Sequence, residues 1–291
     1  MDYCGEIIGF KQYTLSNKLH SSAIRFYLGL PFNSPLCALR TEMNWLEPRS
    51  RTQIKMIRYF NHLNSLPKQR ITYKIFKWDL LFMDQNPHLD CWSSEVRCIL
   101  KRNDLYTIFT PYPFQQKVQL QILYDSLLKK DFISNMKDCQ KSKSLRTYNS
   151  LFNLYTNPEI SMSYSRIPMS FIFRKIIAKI RLGVLNIRIV TGRYENDKLD
   201  AKLRICKQCN VQNSMLTFSD SENDLYIENE RHVVLYCKQH DKLRQTLYQN
   251  AEILYPGFLH IDNKFEILMT CSSLAKPFSR YLLSMMNNRI T

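Results

Sequence analysis

Four residues constrain the fold of this chain more than any other feature. Cys206 and Cys209 have C-x2-C spacing, and His232 and Cys237 follow with H-x4-C spacing. Two thiolates two residues apart can bind one metal ion from a tight turn, and a later histidine and cysteine can complete a tetrahedron. The spacing therefore predicts a zinc site. We expect the zinc to be structural, because four protein ligands leave no position for a reacting water.

The third ligand has a second candidate, His240, three residues after Cys237. Three apolar residues follow His232 and could bury that side of the site, whereas His240 lies among charged and polar residues. The pattern favours His232 as the ligand and predicts that His240 is exposed. The 22 residues between Cys209 and His232 form a longer loop than compact zinc modules usually have.

Basic residues outnumber acidic residues by 41 to 25 in the 291 residues, which gives a net charge of +16. Such an excess is typical of chains that bind nucleic acid or an anionic membrane surface, although it can also serve solubility alone. Residues 162–209 contain eleven lysines and arginines and only three acidic residues, and they lead into the first two metal-ligand cysteines. Because phosphates attract such a segment, we expect a nucleic-acid surface beside the metal site.

Nine residues of this basic segment are predicted to contact RNA or DNA. Eight are basic and would bind phosphates, and one is a tyrosine that could stack on a base. The predicted contacts are Arg174, Lys175, Lys179, Arg181, Arg188, Arg193, Tyr194, Arg204 and Lys207.

The hydrophobic pattern predicts a mostly α-helical protein. Hydrophobic residues make up 45% of the chain, and only six glycines argue against a turn-rich β-sandwich. Ile71–Phe82 is dense in apolar residues and is predicted to be a buried helix, with a strand as the alternative. Helices are predicted around Leu15–Phe26, Ile54–Leu63, Ile71–Phe82, Val96–Leu100, Gln116–Met136, Ser170–Leu182, Leu243–Ala251, Phe265–Met269 and Leu274–Met286.

Three regions are predicted along the chain. Residues 1–137 would form a helical, bundle-like region, and residues 138–168, rich in Ser, Lys and Asn, would form a polar linker. Residues 169–291 would contain a basic helix and then C-terminal helices around the small Cys-Cys-His-Cys zinc motif.

Several classes of protein do not fit the sequence. It contains no G-x-x-x-x-G-K-[ST] or G-x-G-x-x-G loop for phosphates, no G-x-S-x-G nucleophile elbow and no adjacent pair of aspartates. Nine widely spaced cysteines do not resemble a small disulfide framework and favour an intracellular, reduced protein. No apolar run approaches the length that spans a bilayer, so we expect no membrane partner.

Several short stretches, in this order, resemble one family. They are Ala23–Gly29 (AIRFYLG), Ala38–Leu46 (ALRTEMNWL), Lys74–Asp79 (KIFKWD), Cys91–Val96 (CWSSEV), Leu145–Tyr148 (LRTY), Arg181–Gly183 (RLG), Thr191–Tyr194 (TGRY), Arg204–Cys206 (RIC) with Cys209, and Glu230–His232 (ERH) with Cys237. Together they are distributed over most of the length of residues 15–270. This part of the chain resembles the region after the polymerase domain in non-LTR (LINE-type) retrotransposon reverse transcriptases.

The resemblance implies a helical, thumb-adjacent region that ends in a Cys-Cys-His-Cys motif and helps to hold template RNA or target DNA. Cys206, Cys209, His232 and Cys237 match the ligand positions of the family. Arg181, Arg188 and Arg193 match its basic approach to the motif. Two departures matter: the polymerase domain with its paired aspartates is not in this sequence, and the loop before His232 is much longer than the family pattern.

The sequence therefore predicts a non-catalytic, zinc-stabilised RNA- or DNA-binding fragment of a retrotransposon reverse transcriptase, located inside the cell and in the nucleus. A polymerase domain encoded elsewhere is a second expected partner. Three alternatives stay open: a protein-interaction module, a decayed copy without a selected function, and a cysteine-dependent enzyme. Salt discriminates the first, because phosphate binding weakens steeply as salt rises and apolar docking does not.

Overall fold

A computed structural model of the chain describes residue 7 and residues 14–88, 90–105, 113–151, 164–194, 199–209 and 226–289. Within these ranges the protein is helical and contains no strand, apart from one antiparallel bridge between Ile205 and Ile227. The mostly α-helical fold predicted from sequence is confirmed. No helix of the described part is long and apolar enough to cross a membrane.

Twelve α-helices, named α1 to α12, occur in the described ranges. In chain order they are Thr14–Leu28, Leu36–Met43, Pro48–Ser65, Ile71–Gln85, Trp92–Arg102, Pro113–Lys141, Arg146–Ser150, Phe171–Arg181, Arg188–Thr191, Asp241–Leu254, Lys264–Thr270 and Ala275–Asn287. Shorter 3-10 turns are Lys143–Leu145, Ala201–Leu203, Lys238–His240 and Phe258–His260, and His232–Tyr236 is a π-helix.

The chain divides into two compact units. Unit 1 comprises Met1–Ala23 and Asn44–Asn135, and unit 2 comprises Ile24–Met43 and Met136–Thr291. The sequence-based division at residue 137 lies close to one of these boundaries. It does not separate Ile24–Met43 from its neighbours in the chain. This segment belongs to unit 2, to which it contributes fully buried Leu28 and Leu39.

The predicted linker 138–168 is in part a packed segment of unit 2. Leu145, Tyr148 and Leu151 are fully buried, and the Tyr148 hydroxyl lies 2.7 Å from the hydroxyl of Thr41. Because polar residues surround these three apolar residues in the sequence, the pattern did not indicate that they are buried. Residues 152–163 of the predicted linker lie outside the described residues.

The core of unit 1 combines apolar side chains of α3, α5 and α6. Its buried residues include Ile57 of α3, Val96 and Ile99 of α5, and Leu123 of α6. These side chains recur at helical spacing in the sequence, which is why the predictions of all three helices are confirmed. Helix α6 is longer than predicted, since it begins at Pro113 and ends at Lys141.

Helix α4 corrects one prediction. The segment is a helix, as expected, but of its residues only Phe76 and Met83 are buried. Four large apolar side chains, Ile71, Ile75, Trp78 and Leu81, are between 59% and 69% exposed. The apolar residues of α4 occur on all sides of the helix. Their number in the sequence therefore could not show which side packs into the protein.

The core of unit 2 is built from α8, α10, α11 and α12. Helix α12 packs against α8, α10 and α11. Its buried side chains Phe278, Leu282 and Met285 lie on one side of the helix, as their spacing predicted. The α8 helix begins after Ser170, whose hydroxyl accepts a hydrogen bond from the backbone N–H of Phe173. This core carries the segments that hold the predicted metal ligands.

Candidate metal centre

A short antiparallel bridge positions the first two cysteines. The Cys206 N–H donates to the carbonyl of Tyr226 (2.9 Å), and the Glu228 N–H donates to the carbonyl of Arg204 (2.9 Å). The chain segments before residue 210 and after residue 225 are therefore fixed to each other at Cys206. Residues 207–209 then form a turn, which brings the Cys209 sulfur within 4.8 Å of the Cys206 sulfur.

A π-helix positions the other two ligands. His232–Tyr236 has the wider π geometry, and the Cys237 N–H donates to the His232 carbonyl at 2.9 Å. In an α-helix, residues five apart lie about 140° apart around the axis, because each residue advances about 100°. In the π turn, by contrast, the hydrogen bond runs from the N–H of residue i+5 to the carbonyl of residue i, and it joins the backbone of Cys237 directly to that of His232. Asn229 fixes the start of the turn by accepting from the His232 N–H at 2.8 Å.

The four predicted ligands converge. Their ligand atoms all lie within 4.8 Å of one another. The sulfur of Cys209 lies 3.6 Å from His232 Nε2 and 3.7 Å from the sulfur of Cys237. A tetrahedral site with Zn–S of about 2.3 Å and Zn–N of about 2.0–2.1 Å requires edges of about 3.8 Å between sulfurs and about 3.6 Å between sulfur and nitrogen. The two separations from the Cys209 sulfur match these edges, so the cluster can hold one metal ion.

The thiols are too far apart for a disulfide, and the cluster is well protected from water. A disulfide needs sulfurs at about 2.05 Å. Cys206 and Cys237 are fully buried, His232 is nearly so, and Cys209 is half-buried.

The thiols differ in acidity. The pKa of Cys206 falls to about 3, because the Cys237 thiol and then His232 form hydrogen bonds that stabilise the Cys206 thiolate. The pKa of Cys237 is raised, because its thiol is held protonated by that hydrogen bond and by burial. Burial also raises the pKa of Cys209. One thiolate is therefore ready to bind a cation, and metal binding would release protons from the others.

His240 corrects a second prediction. The sequence predicted an exposed side chain, but His240 is fully buried and is not part of the four-residue cluster. Its pKa falls to about 4, first because of burial and then because of the nearby Arg289 and Arg244 charges. The 3-10 turn Lys238–His240 folds the histidine back into unit 2, which the polar neighbours in the sequence did not reveal.

Two of the predicted phosphate contacts instead hold the backbone beside the metal cluster. The Arg188 guanidinium donates to the carbonyl of Ile205 at 2.7 Å. Arg204 is buried and donates to the carbonyls of Ile189 (2.7 Å) and Leu199 (2.7 and 3.0 Å). These bonds join the loops and short turns that surround the cluster. The Arg204 side chain is therefore directed at backbone carbonyls and shielded from water, which does not favour its predicted contact with nucleic acid.

Arg181 is the clearest correction among the predicted contacts. It is fully buried, and its Nε donates to Oε1 of Glu42 at 2.8 Å, with both side chains shielded from water. A second donor nitrogen binds the Met269 carbonyl at 2.7 Å, and the guanidinium lies 5.0 Å from the centre of the Tyr164 ring. Phosphates cannot reach this side chain.

The remaining predicted contacts differ in exposure. Arg174 is half-buried and packs over the ring of Tyr27 at 4.0 Å. Lys175 and Lys179 are also half-buried, and burial, followed by the Lys175 charge, lowers the pKa of Lys179. By contrast, three predicted contacts are exposed. They are Arg193, Tyr194 and Lys207.

The sequence did not indicate the partners of two acidic residues in this region. The Glu230 carboxylate accepts from Arg146 (2.9 and 3.0 Å) and from the Thr147 hydroxyl (2.8 Å). Glu228 pairs with Arg289, and burial raises its pKa although that arginine opposes the shift. The partners are 61 to 84 residues apart, so no local spacing could have indicated them.

A second set of contacts supports the π-helix. The Tyr281 hydroxyl donates to the carbonyls of Val233 (2.8 Å) and Val234 (3.3 Å). The Arg244 side chain donates to the Val234 carbonyl (3.1 Å) and to the carbonyl of Cys237. These two side chains therefore bind carbonyls of the wider turn and hold it in place.

No family model, curated protein or solved structure matches this chain.

Proposed function

We propose that this chain is a non-catalytic, zinc-stabilised protein that binds RNA or DNA, of the kind that follows the polymerase domain in non-LTR retrotransposon reverse transcriptases. One observation carries the proposal: the ligand atoms of Cys206, Cys209, His232 and Cys237 lie within 4.8 Å of one another, and the separations of 3.6 Å and 3.7 Å from the Cys209 sulfur match the edges of a tetrahedral zinc site. Its place of action would be inside the cell, in the nucleus.

Zinc is the metal that this donor set fits best. Three thiolates and one imidazole are soft to borderline donors, and a tetrahedral arrangement of three sulfurs and one nitrogen is typical of structural zinc. All four positions belong to the protein, so the ion would stabilise the fold and would not activate water. Its binding energy would contribute to the folding of unit 2, because the ligands come from two separate chain segments, residues 206–209 and 232–237.

Exposed basic residues beside the cluster support a nucleic-acid surface. Lys207 lies in the turn between the first two cysteines, and Arg193 and Tyr194 follow helix α9, whose Arg188 is bonded to the Ile205 carbonyl. Tyr194 is 80% exposed and offers a flat ring for a base. Together with the net charge of +16, these side chains favour a phosphate-rich partner.

The zinc proposal is tested by native mass spectrometry and thermal melts with and without a chelator. We expect one zinc ion per chain and a melting temperature that falls on chelation. Cys209→Ser should lose the ion and melt as the chelated protein does, whereas Cys98→Ser, which removes an exposed cysteine of α5, should keep both properties. A folded protein without zinc, or a Cys209→Ser variant with unchanged zinc content, would contradict the proposal.

The nucleic-acid proposal is tested by the salt dependence of binding to single-stranded RNA and DNA. Removing two phosphate contacts should flatten the plot of log K against log salt by about 1.4, at roughly 0.7 per contact. We expect this change for Arg193→Gln with Lys207→Gln. The matched control is Lys276→Gln with Arg280→Gln, which removes two exposed charges from α12. Equal losses in both pairs would mean that binding follows net charge and not this surface.

A protein-interaction role is the second candidate, and helix α4 favours it. Its exposed Ile71, Ile75 and Trp78 lie at spacings of four and three residues, on one side of the helix. Soluble proteins rarely leave so many large apolar side chains together in water. Self-association or binding of a partner that persists at high salt and is lost in Trp78→Lys would favour this role.

A further inference from the structure

Unit 1 contains a cavity that the proposed function does not use. Its volume is about 510 Å³, within the range of small-molecule sites. Helix α3 contributes Arg51, Lys55 and Arg58, helix α6 contributes Tyr124, and the segment before α3 contributes Trp45. All these residues belong to unit 1, whereas the four metal ligands belong to unit 2.

The charge of the cavity is positive. Arg51, Lys55 and Arg58 are spaced by four and three residues, which places them on one side of α3. None of the residues that line the cavity is acidic. Arg51 Nε is buried and has no hydrogen-bond partner among the residues that the structure describes. A buried donor without a partner costs free energy, so an anion that accepts from it would bind favourably.

The cavity also has two aromatic walls. Trp45 and Tyr124 are each about two-fifths exposed, so part of each ring can face a ligand. A second cavity of about 200 Å³ shares Trp45 and Arg51 with the first and is also lined by His20, whose ring centre lies 6.1 Å from that of Trp45. Trp45 follows Asn44, which has a φ of 45° in the left-handed region that asparagine tolerates.

We infer that this cavity binds a nucleotide: the phosphate contacts Arg51, Lys55 and Arg58, and the base lies against Trp45 or Tyr124. Cations and flat aromatic rings in one site match the two halves of a nucleotide, the anionic phosphate and the planar base. The same chemistry comes from a free mononucleotide or from the phosphorylated end of a single strand. The inference does not rest on zinc or on the surface around Arg193.

Isothermal titration calorimetry on the full chain tests the site. The probes are adenosine 5′-monophosphate, adenosine and inorganic phosphate. We expect the monophosphate to bind at least about tenfold more tightly than either fragment, because only it can use both the cations and the rings. No heat of binding from the monophosphate at millimolar concentration, or equal affinities for the monophosphate and inorganic phosphate, would overturn the inference.

A matched pair of variants locates the binding. Arg58 and Arg49 are both exposed arginines of α3, but only Arg58 lines the cavity. Arg58→Gln should weaken monophosphate binding by about tenfold, the effect of losing one charge-assisted hydrogen bond. Arg49→Gln should change it less than about twofold, and both variants should keep the wild-type melting temperature. Equal weakening by the two variants would mean that the anion binds to general surface charge.

Two further probes separate the sources of the ligand. A short single-stranded oligonucleotide is compared with and without a 5′-phosphate. Preference for the phosphorylated oligonucleotide over the free monophosphate, lost in Arg58→Gln, would assign the cavity to strand ends. Preference for the free monophosphate would assign it to a soluble nucleotide. Tyr124→Ala should weaken whichever ligand binds, because it removes one aromatic wall.

Discussion

At the scale of single residues, the buried pair of Arg181 and Glu42 makes the sharpest prediction. Breaking a buried ion pair from one side leaves the other charge unpaired, which typically costs about 3–5 kcal/mol. We therefore expect Arg181→Met to lower the free energy of unfolding in urea by about this amount. The double variant with Glu42→Met should recover much of the loss, because no buried charge then remains.

The same variants separate a structural role from a binding role. At temperatures where Arg181→Met is folded, its affinity for nucleic acid should equal that of the wild type, because the side chain is shielded from water. A variant with normal stability and weaker RNA binding would contradict the structural role. The measurement is a urea titration followed by a binding titration on the same samples.

These residues also show what the sequence could and could not predict. The four residues of the candidate metal cluster were found because metal chemistry requires particular side chains at short spacings. The roles of the arginines were not, because a partner such as Glu42 lies 139 residues from Arg181. His240 was misplaced for a similar reason: the residues that bury it come from other segments of unit 2.

At the scale of elements, the end of α10 depends on one carboxylate. Glu252 accepts hydrogen bonds from the backbone N–H groups of Gly257 (2.8 Å) and Leu259 (2.9 Å). These bonds, that of Leu259 first, lower the pKa of Glu252 below its ordinary value of 4.5. A carboxyl group with a lower pKa in the folded state stabilises the protein above pH 4.5, and this stabilisation is lost as the pH falls through the folded-state pKa.

We expect Glu252→Gln to melt at a lower temperature than the wild type at pH 7, since the neutral amide accepts these bonds less strongly. The difference between the two proteins should shrink as the pH is lowered from about 5 to about 3, where the carboxylate becomes protonated. Thermal melts across this range provide the measurement. A difference that stays constant with pH would show that the charge of Glu252 does not hold the turn.

Helix prediction succeeded better than prediction of helix faces. In α12 the apolar residues Phe278, Leu282 and Met285 lie on one side, so their spacing gave both the helix and its buried side. In α4 the apolar residues surround the axis, and the exposed positions of Ile71 and Trp78 depend on which elements pack nearby. Which side of α4 is buried depends on contacts between distant parts of the chain.

At the scale of the whole molecule, the division into two units follows from such distant contacts. Ile24–Met43 joins unit 2 through contacts like that of Thr41 with Tyr148, which are 107 residues apart. No change of composition marks the boundary at Ala23, so a division by sequence alone placed this segment with its neighbours in the chain.

The division predicts where zinc removal acts. The metal ligands all lie in unit 2, whereas the core of unit 1, which includes Ile57, Val96 and Leu123, contains none of them. Chelation should therefore speed hydrogen exchange of the backbone amides at residues 204–209 and 226–240. Amides in the middle of α3 should keep their protection, because local opening follows the contacts that are lost.

The measurement is hydrogen exchange read by mass spectrometry, with and without chelator. Each sample reports the exchange at the ligand segments and in α3 together. The control is Cys98→Ser with chelator, which should reproduce the wild-type pattern, because the substitution leaves all four ligands in place. Faster exchange in α3 to the same extent as at the ligands would mean that the two units unfold together. Unchanged exchange at the ligands would mean that no bound metal stabilises them, since loss of a structural zinc removes folding free energy from the segments it joins.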